Sequence, residues 1–212
     1  MPFLLALALL VPTDWMTLFP TLEAHIPRVE IQTGDSKGIC SSVVFDVDAE
    51  GMASALTAGH CVEHEPTSKF DLTLNDRHAT VVAVNRLLDL AIVRFRAHKE
   101  KAIVMASESP LTGAEVAIVG YAFGVEELVA QFGRVAQTRN RETKAMWINV
   151  DLIFGDSGGP VIDGDGRLVG ISSRIYSGGQ SGQMAHLGAA VRIEAIRDFV
   201  DDYKDRLKKE KK

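Results

Sequence analysis

Residues 43–58, Val-Val-Phe-Asp-Val-Asp-Ala-Glu-Gly-Met-Ala-Ser-Ala-Leu-Thr-Ala, set two short β-type runs, VVFDVD and ASALTA, on either side of a turn signal at Asp46 to Gly51. Glycine supplies the positive φ that tight turns need. The pattern continues outward from about Val29 to Val191. FDLTL, ATVVAV, LAIVRF, AIVMA, VAIVGY, AMWINV, PVID and RLVGIS follow one another, broken by turn residues such as Glu108 to Gly113 and Asp163-Gly164-Asp165-Gly166. Runs of this length and spacing predict an all-β sandwich or barrel. No helix-length amphipathic segment separates them, as parallel crossovers would require, so the strands are expected to be mostly antiparallel. After Val191 the period changes. Ile193, Ile196, Phe199, Val200, Tyr203 and Leu207 recur every three or four residues, which predicts a C-terminal α-helix docked by one apolar face. Its lysine-rich end suits the negative pole of the helix dipole. Ser177 to Gln183 reads as a loop inside a hairpin.

A chain of 212 residues accommodates one substantial core or two small ones sharing an interface. A hydrophobic fraction of 46% with 24% charged residues is ordinary for a soluble globular protein, which excludes the disordered and polytopic membrane classes. The net charge of -5, with lysines and arginines scattered, offers no basic stripe, so nucleic acid is not an expected partner. Residues 1–27 contain an apolar run, Phe3 to Val11, ended by Pro12. It has the length of a signal-peptide core and is too short to span a bilayer. A signal or membrane-proximal segment, and hence export to the periplasm or cell exterior, is the expectation; a buried N-terminal segment is the alternative. Cys40 and Cys61 fit either one bridge or two free thiols.

The strongest chemical signal is Gly155-Asp156-Ser157-Gly158-Gly159-Pro160. Glycines around one serine let the backbone bend sharply and approach another group closely. Acyl transfer needs such a serine beside a base, with backbone N–H groups converging where charge develops on the substrate oxygen. Leu56-Thr57-Ala58-Gly59-His60-Cys61 supplies the base, since histidine titrates near neutrality. Its neutral ring must be held in one tautomer by an acceptor. Asp89, embedded in Leu87-Leu88-Asp89-Leu90-Ala91-Ile92-Val93, is the candidate, because a carboxylate buried in an apolar run needs a compensating partner.

ThrAlaGlyHisCys, AspLeuAlaIleVal and GlyAspSerGlyGlyPro, in that order, resemble the chymotrypsin/trypsin clan of serine proteases, over roughly residues 30 to 205. Gly120-Tyr121-Ala122-Phe123-Gly124 and Gly166 to Ser172 resemble the compact bacterial high-temperature-requirement type, with no PDZ-like region following. The resemblance implies two packed six-stranded antiparallel β-barrels. Residues 28–106 would carry His60 and Asp89, 107–113 would be a linker, 114–191 would carry Ser157, and 192–212 would form the helix and basic tail. It implies a His60, Asp89 and Ser157 triad, an oxyanion hole at the Gly155 and Ser157 N–H groups, and a Cys40–Cys61 bridge beside the histidine. Asp151, Ser173, Ile175 and Gly188 fall at substrate-binding positions, and Asp151 implies Arg or Lys at P1, the residue whose carbonyl is attacked. A polypeptide substrate is implied, with no cofactor. In digestive members a new N-terminus pairs with the aspartate before the serine, here Asp156. The Arg28-Val29 bond lacks the two glycines usual at such a site, which leaves Arg134 as a candidate partner. Two rivals stand beside this reading. His60-Cys61-Val62-Glu63-His64 fits the HxxEH pattern of zinc peptidases, with Glu142 as a third ligand. A protease fold that has lost catalysis would serve as a binding module.

Overall fold

The computed structural model describes residues 13–63, 70–138, 144–175 and 187–210. A short helix, α1 (Trp15–Leu22), precedes seven strands: β1 (Arg28–Thr33), β2 (Ser36–Ser41), β3 (Val43–Val47), β4 (Met52–Ala58), β5 (Phe70–Leu74), β6 (Arg77–Asn85) and β7 (Leu90–Arg96). These form one antiparallel sheet in the order β2-β1-β5-β6-β7-β4-β3. Six more strands, β8 (Glu115–Gly120), β9 (Val129–Gln137), β10 (Ala145–Ile148), β11 (Pro160–Asp163), β12 (Leu168–Ile175) and β13 (Gly188–Arg192), close into a barrel in the order β10-β13-β12-β11-β8-β9. The chain then enters α2 (Ile193–Glu210).

The all-β architecture and the C-terminal helix agree with the sequence, and one of the two expected six-stranded barrels is present. The first body differs, being a curled seven-stranded sheet. Its shape follows from one residue. β2 and β3 are opposite edges of the sheet, yet only Ser42 separates them, so the sheet must curl until its edges meet. Ser42 is buried there, its N–H and hydroxyl both donated to the Pro27 carbonyl, at 3.2 and 2.8 Å. The 43–58 stretch forms the expected hairpin, with Val43 opposite Leu56, Val47 opposite Ala53, and Gly51 at φ 76°.

AIVMA, which reads as a strand, is not one. Ile103 donates to Val44, while Ala106 and Val104 exchange bonds with Leu168, so the segment stitches sheet to barrel and makes only an isolated parallel bridge at Met105. Beyond it, Ser109 gives its N–H and hydroxyl to the Glu194 carboxylate at 2.9 and 2.7 Å, which ties this connection to the first turn of α2.

Strand alternation assigns the core. In β8, Val116 and Ile118 join the barrel interior with Val135, Met146, Ile148, Val161 and Val169. Their neighbours Ala117 and Val119 face the other way, into a cluster shared with Leu56 and Ile92 of the sheet and Ile196, Phe199 and Tyr203 of α2. Both faces of β8 are therefore dry, which explains its unbroken apolar run. Asp14 caps α1, accepting from Thr17 N–H and hydroxyl at 3.3 and 2.6 Å, and Leu22 and Ile26 are buried on the body. The Phe3 to Val11 run and the Ser177 to Gln183 loop lie outside the described residues. Among those described, no helix is long and apolar enough to cross a membrane.

The two bodies meet backbone to backbone at Gly158, φ 81°, where a Cβ would collide with Thr57 Oγ1 and the Ser41 carbonyl oxygen and sit 2.7 Å from Ala58 N. Two of these atoms are backbone, and the third, Thr57 Oγ1, is held by its bond to the Ser41 carbonyl at 2.8 Å. Gly158→Ala is expected to cost about 2 kcal/mol or more through overpacking and left-handed strain. Urea unfolding checks this; a change below about 0.5 kcal/mol would contradict so close an approach.

Candidate active site

Asp89 lies one residue before β7, at the end of the β6–β7 turn, with a left-handed φ of 53°. It is therefore not within an apolar strand, as its neighbours suggested: Leu87, two residues earlier, is almost fully exposed. Aspartate tolerates this conformation better than most residues, and the turn aims the carboxylate inward, where the residue is only 5% exposed. Among the described residues, three donors converge on it. His60 N–H reaches Oδ1 at 2.9 Å, His60 Nδ1 reaches Oδ2 at 2.8 Å, and the Ser173 hydroxyl reaches Oδ2 at 2.5 Å. The Asp89 carbonyl also accepts from Gly59 N–H at 2.9 Å, so the short helical turn at residues 59–61 is pinned to this one residue. Burial pushes the Asp89 carboxyl up, but the bonds from His60 and Ser173 outweigh it and hold the pKa at about 2. An ionised carboxylate only accepts, so His60 Nδ1 carries a proton and its Nε2 is the basic atom.

Ser157 comes from the other body. Its carbonyl accepts from Ser41 N–H at 2.9 Å and lies 3.9 Å from Cys61 Sγ, which sets it beside the residue following His60. The preceding turn is fixed peptide by peptide. Phe154 O accepts from Phe123 N–H at 2.6 Å, and Gly155 O accepts from the Ser41 hydroxyl at 2.8 Å. Asp156 O accepts from Gly159 N–H at 2.8 Å and from the Ser172 hydroxyl. A trans peptide points its C=O and N–H in opposite directions. The Gly155 and Ser157 N–H groups are thereby turned away from Phe123 and from Gly159 and Ser172. Gly155 has φ 98°, and a Cβ there would strike the Tyr121 carbonyl.

Cys40 and Cys61 form a disulfide joining β2 to the His60 turn. Among the expected substrate-binding residues, Gly188 lies where a Cβ would be 2.9 Å from Leu152 Cγ and 3.1 Å from the Val150 carbonyl. Ile175 is its partner across the β12–β13 ladder. Asp151 is exposed beside them. Ser173 is instead turned to Asp89. The suggested Arg134–Asp156 pair is absent: Arg134 bonds Glu115 at 2.5 Å and the Gly113 carbonyl at 2.9 Å, because its β9 position faces β8 at Glu115. Asp156, 1% exposed, accepts instead from Gln131 Nε2 at 2.5 Å and Ile153 N–H at 2.8 Å. The zinc pattern fares differently: His60 Nδ1 faces Asp89 and Glu63 pairs with Arg86 at 2.7 Å, while His64 and Glu142 lie outside the described residues. Sequence reading missed Ser41 and Gln131, polar residues in β-type surroundings with no motif to mark them, and gave Ser172, at the end of the Gly166 to Ser172 stretch, no role.

A curled β sheet carrying a His–Asp pair, packed on a β barrel carrying a glycine-framed serine, is the arrangement of the chymotrypsin-like class. The chain belongs to the trypsin-like peptidase family, whose domain model matches residues 40–171. It is 27% identical over 200 residues to a probable periplasmic DegP-like serine endoprotease of Halomonas elongata, covering 91% of this chain and 39% of that protein. It is 25% identical over 178 residues to the mitochondrial serine protease HTRA2 of Drosophila willistoni, covering 78% of this chain and 39% of that one. The chain thus spans about two fifths of the length of these curated relatives. The serine endoprotease structure from Yersinia pestis superposes with a TM-score of 0.73 at 17% identity, over 91% of this chain and 67% of that chain, which establishes the shared fold.

Because folding lowers the Asp89 pKa from 3.8 to about 2, its contribution is complete above the unfolded value and lost as pH falls through about 2. That contribution is about 2 kcal/mol. Ser173→Ala removes one donor, raises the folded pKa and moves the loss to higher pH. Urea unfolding of both proteins between pH 2 and 6 measures this; parallel curves would contradict it.

Proposed function

We propose that this chain is a serine endopeptidase in which His60, Asp89 and Ser157 form the catalytic triad. The observation that carries it is the ionised, buried Asp89 holding the His60 ring by Nδ1. His60 Nε2 takes the Ser157 hydroxyl proton as Oγ bonds to the substrate carbonyl carbon. The Gly155 and Ser157 N–H groups stabilise the charge on the substrate oxygen. His60 then gives the proton to the leaving amine as the C–N bond breaks. Water, deprotonated by the same nitrogen, attacks the acyl-enzyme, and Ser157 recovers its proton on release of the acid.

At P1, Arg or Lys is the preference that Asp151 would confer. Export is supported by the Cys40–Cys61 disulfide, a bond that persists in oxidising compartments, and by the Phe3 to Val11 run. A periplasmic relative points the same way.

A fluorophosphonate is expected to label Ser157 stoichiometrically, while a chelator leaves activity unchanged. Ser157→Ala should lower kcat by at least about 10⁴-fold. Activity that resists the fluorophosphonate and falls with the chelator would favour the zinc reading. A wild-type protein as inert as Ser157→Ala on every peptide would favour the binding module. Cleavage of a peptide library, read by mass spectrometry, is expected to place Arg or Lys at P1, a preference lost in Asp151→Asn. Indifference to Arg and Lys at P1 would remove the basic preference.

A further inference from the structure

The Asp156 carboxylate takes no part in the proposed acyl transfer, yet it sits between the two residues whose N–H groups would bind the substrate oxygen. At 1% exposure it is among the most deeply buried acids of the described residues. A buried carboxylate must be hydrogen-bonded to be tolerated. One donor, Ile153 N–H at 2.8 Å, belongs to the turn itself, so that bond moves with the turn and cannot anchor it. The other, Gln131 Nε2 at 2.5 Å, comes from β9. Gln131 is fixed there by the ladder, opposite Ile118 of β8. Its amide is thus a side-chain tie between the barrel wall and the carboxylate at the centre of the turn. The tie is neutral. Arg134, on the same strand, is engaged by Glu115 and Gly113. In keeping with a neutral partner, burial leaves the Asp156 carboxyl raised above its ordinary value.

We propose that Gln131 is a positioning residue for the oxyanion-binding turn: through Asp156 it holds residues 153–157 so that the Gly155 and Ser157 N–H groups face the reacting carbonyl oxygen. This rests on the peptidase reading above. Phe123, Ser41 and Ser172 hold the carbonyls of the turn, and Gln131 adds the tie from the barrel wall to the Asp156 carboxylate at its centre. Its loss is therefore felt where charge develops, in kcat, and little in substrate affinity.

The test compares wild type, Gln131→Leu, which keeps the bulk and removes the donor, and Gln131→Lys, which restores a donor. Amide hydrogen exchange across residues 153–159 is measured alongside kcat and KM on one peptide substrate. Gln131→Leu is expected to speed exchange in that segment by about 10-fold, leave exchange in α2 and β7 unchanged, and lower kcat by about 10- to 100-fold with KM within about 3-fold. Gln131→Lys should recover both. Wild-type exchange and kcat in Gln131→Leu would overturn the proposal. So would exchange raised throughout the chain, or a loss that Gln131→Lys does not recover, each marking a merely structural role. A wild-type protein without peptidase activity would defeat the peptidase reading. The exchange comparison would then still decide whether Gln131 holds the turn.

Discussion

A single ionised carboxylate, buried where sheet and barrel meet, is the interaction on which the rest of the site depends. Asp89 is tolerable there only because donors from both bodies satisfy it: the N–H and ring of His60 from the sheet, and the Ser173 hydroxyl from the barrel. Removing any donor would leave charge under-compensated in a low-dielectric setting, where that is costly. The same network sets the chemistry. A charged acceptor at Nδ1 leaves Nε2 as the basic atom, and the Gly59 N–H bond to the Asp89 carbonyl holds the turn that carries His60.

The second constraint is steric. Gly158 lets the serine turn approach Ser41 and Thr57 of the sheet, and Gly155 lets it approach Tyr121 of the barrel. Ser41, fully buried, turns that proximity into order: its N–H holds Ser157 O, its hydroxyl holds Gly155 O, and it accepts from Tyr121 N–H at 2.8 Å. One small residue beside Cys40 therefore couples the disulfide-bearing strand to the Ser157 turn.

The all-β class, the C-terminal helix and the three motif residues were legible because each leaves a local mark. Alternating runs, a change to helical period after Val191 and glycines around Ser157 are visible within a few residues. What escaped depends on contacts between distant segments. The curl of the first sheet follows from Ser42 joining two edges, which no run of residues announces. In AIVMA, Ile103 and Ala106 are buried where the segment crosses between the two bodies, and Val104 is exposed, so its apolar run marks no ladder. β9 was overlooked because Gly133 interrupts its pattern, although that glycine admits Val150 and Asn149 closely. Leu87 and Leu88 made Asp89 look like a strand residue, whereas the turn leaves Leu87 exposed. Ser173 was placed by family position alone, and only the geometry turns its hydroxyl to Asp89. Gln131 and Ser41 are short polar side chains whose roles exist only once β9, β2 and the serine turn are brought together.

The central claim is that Asp89, ionised, fixes His60 as the Nδ1–H tautomer and so makes Nε2 the base. Nitrogen-15 NMR of the histidine ring in the resting protein at neutral pH reads this directly, with Asp89→Asn as comparison. The account predicts a protonated Nδ1 and an unprotonated Nε2 for His60, and loss of that preference in Asp89→Asn. A His60 ring protonated at Nε2 in the unmodified protein, or a tautomer indifferent to Asp89→Asn, would contradict it.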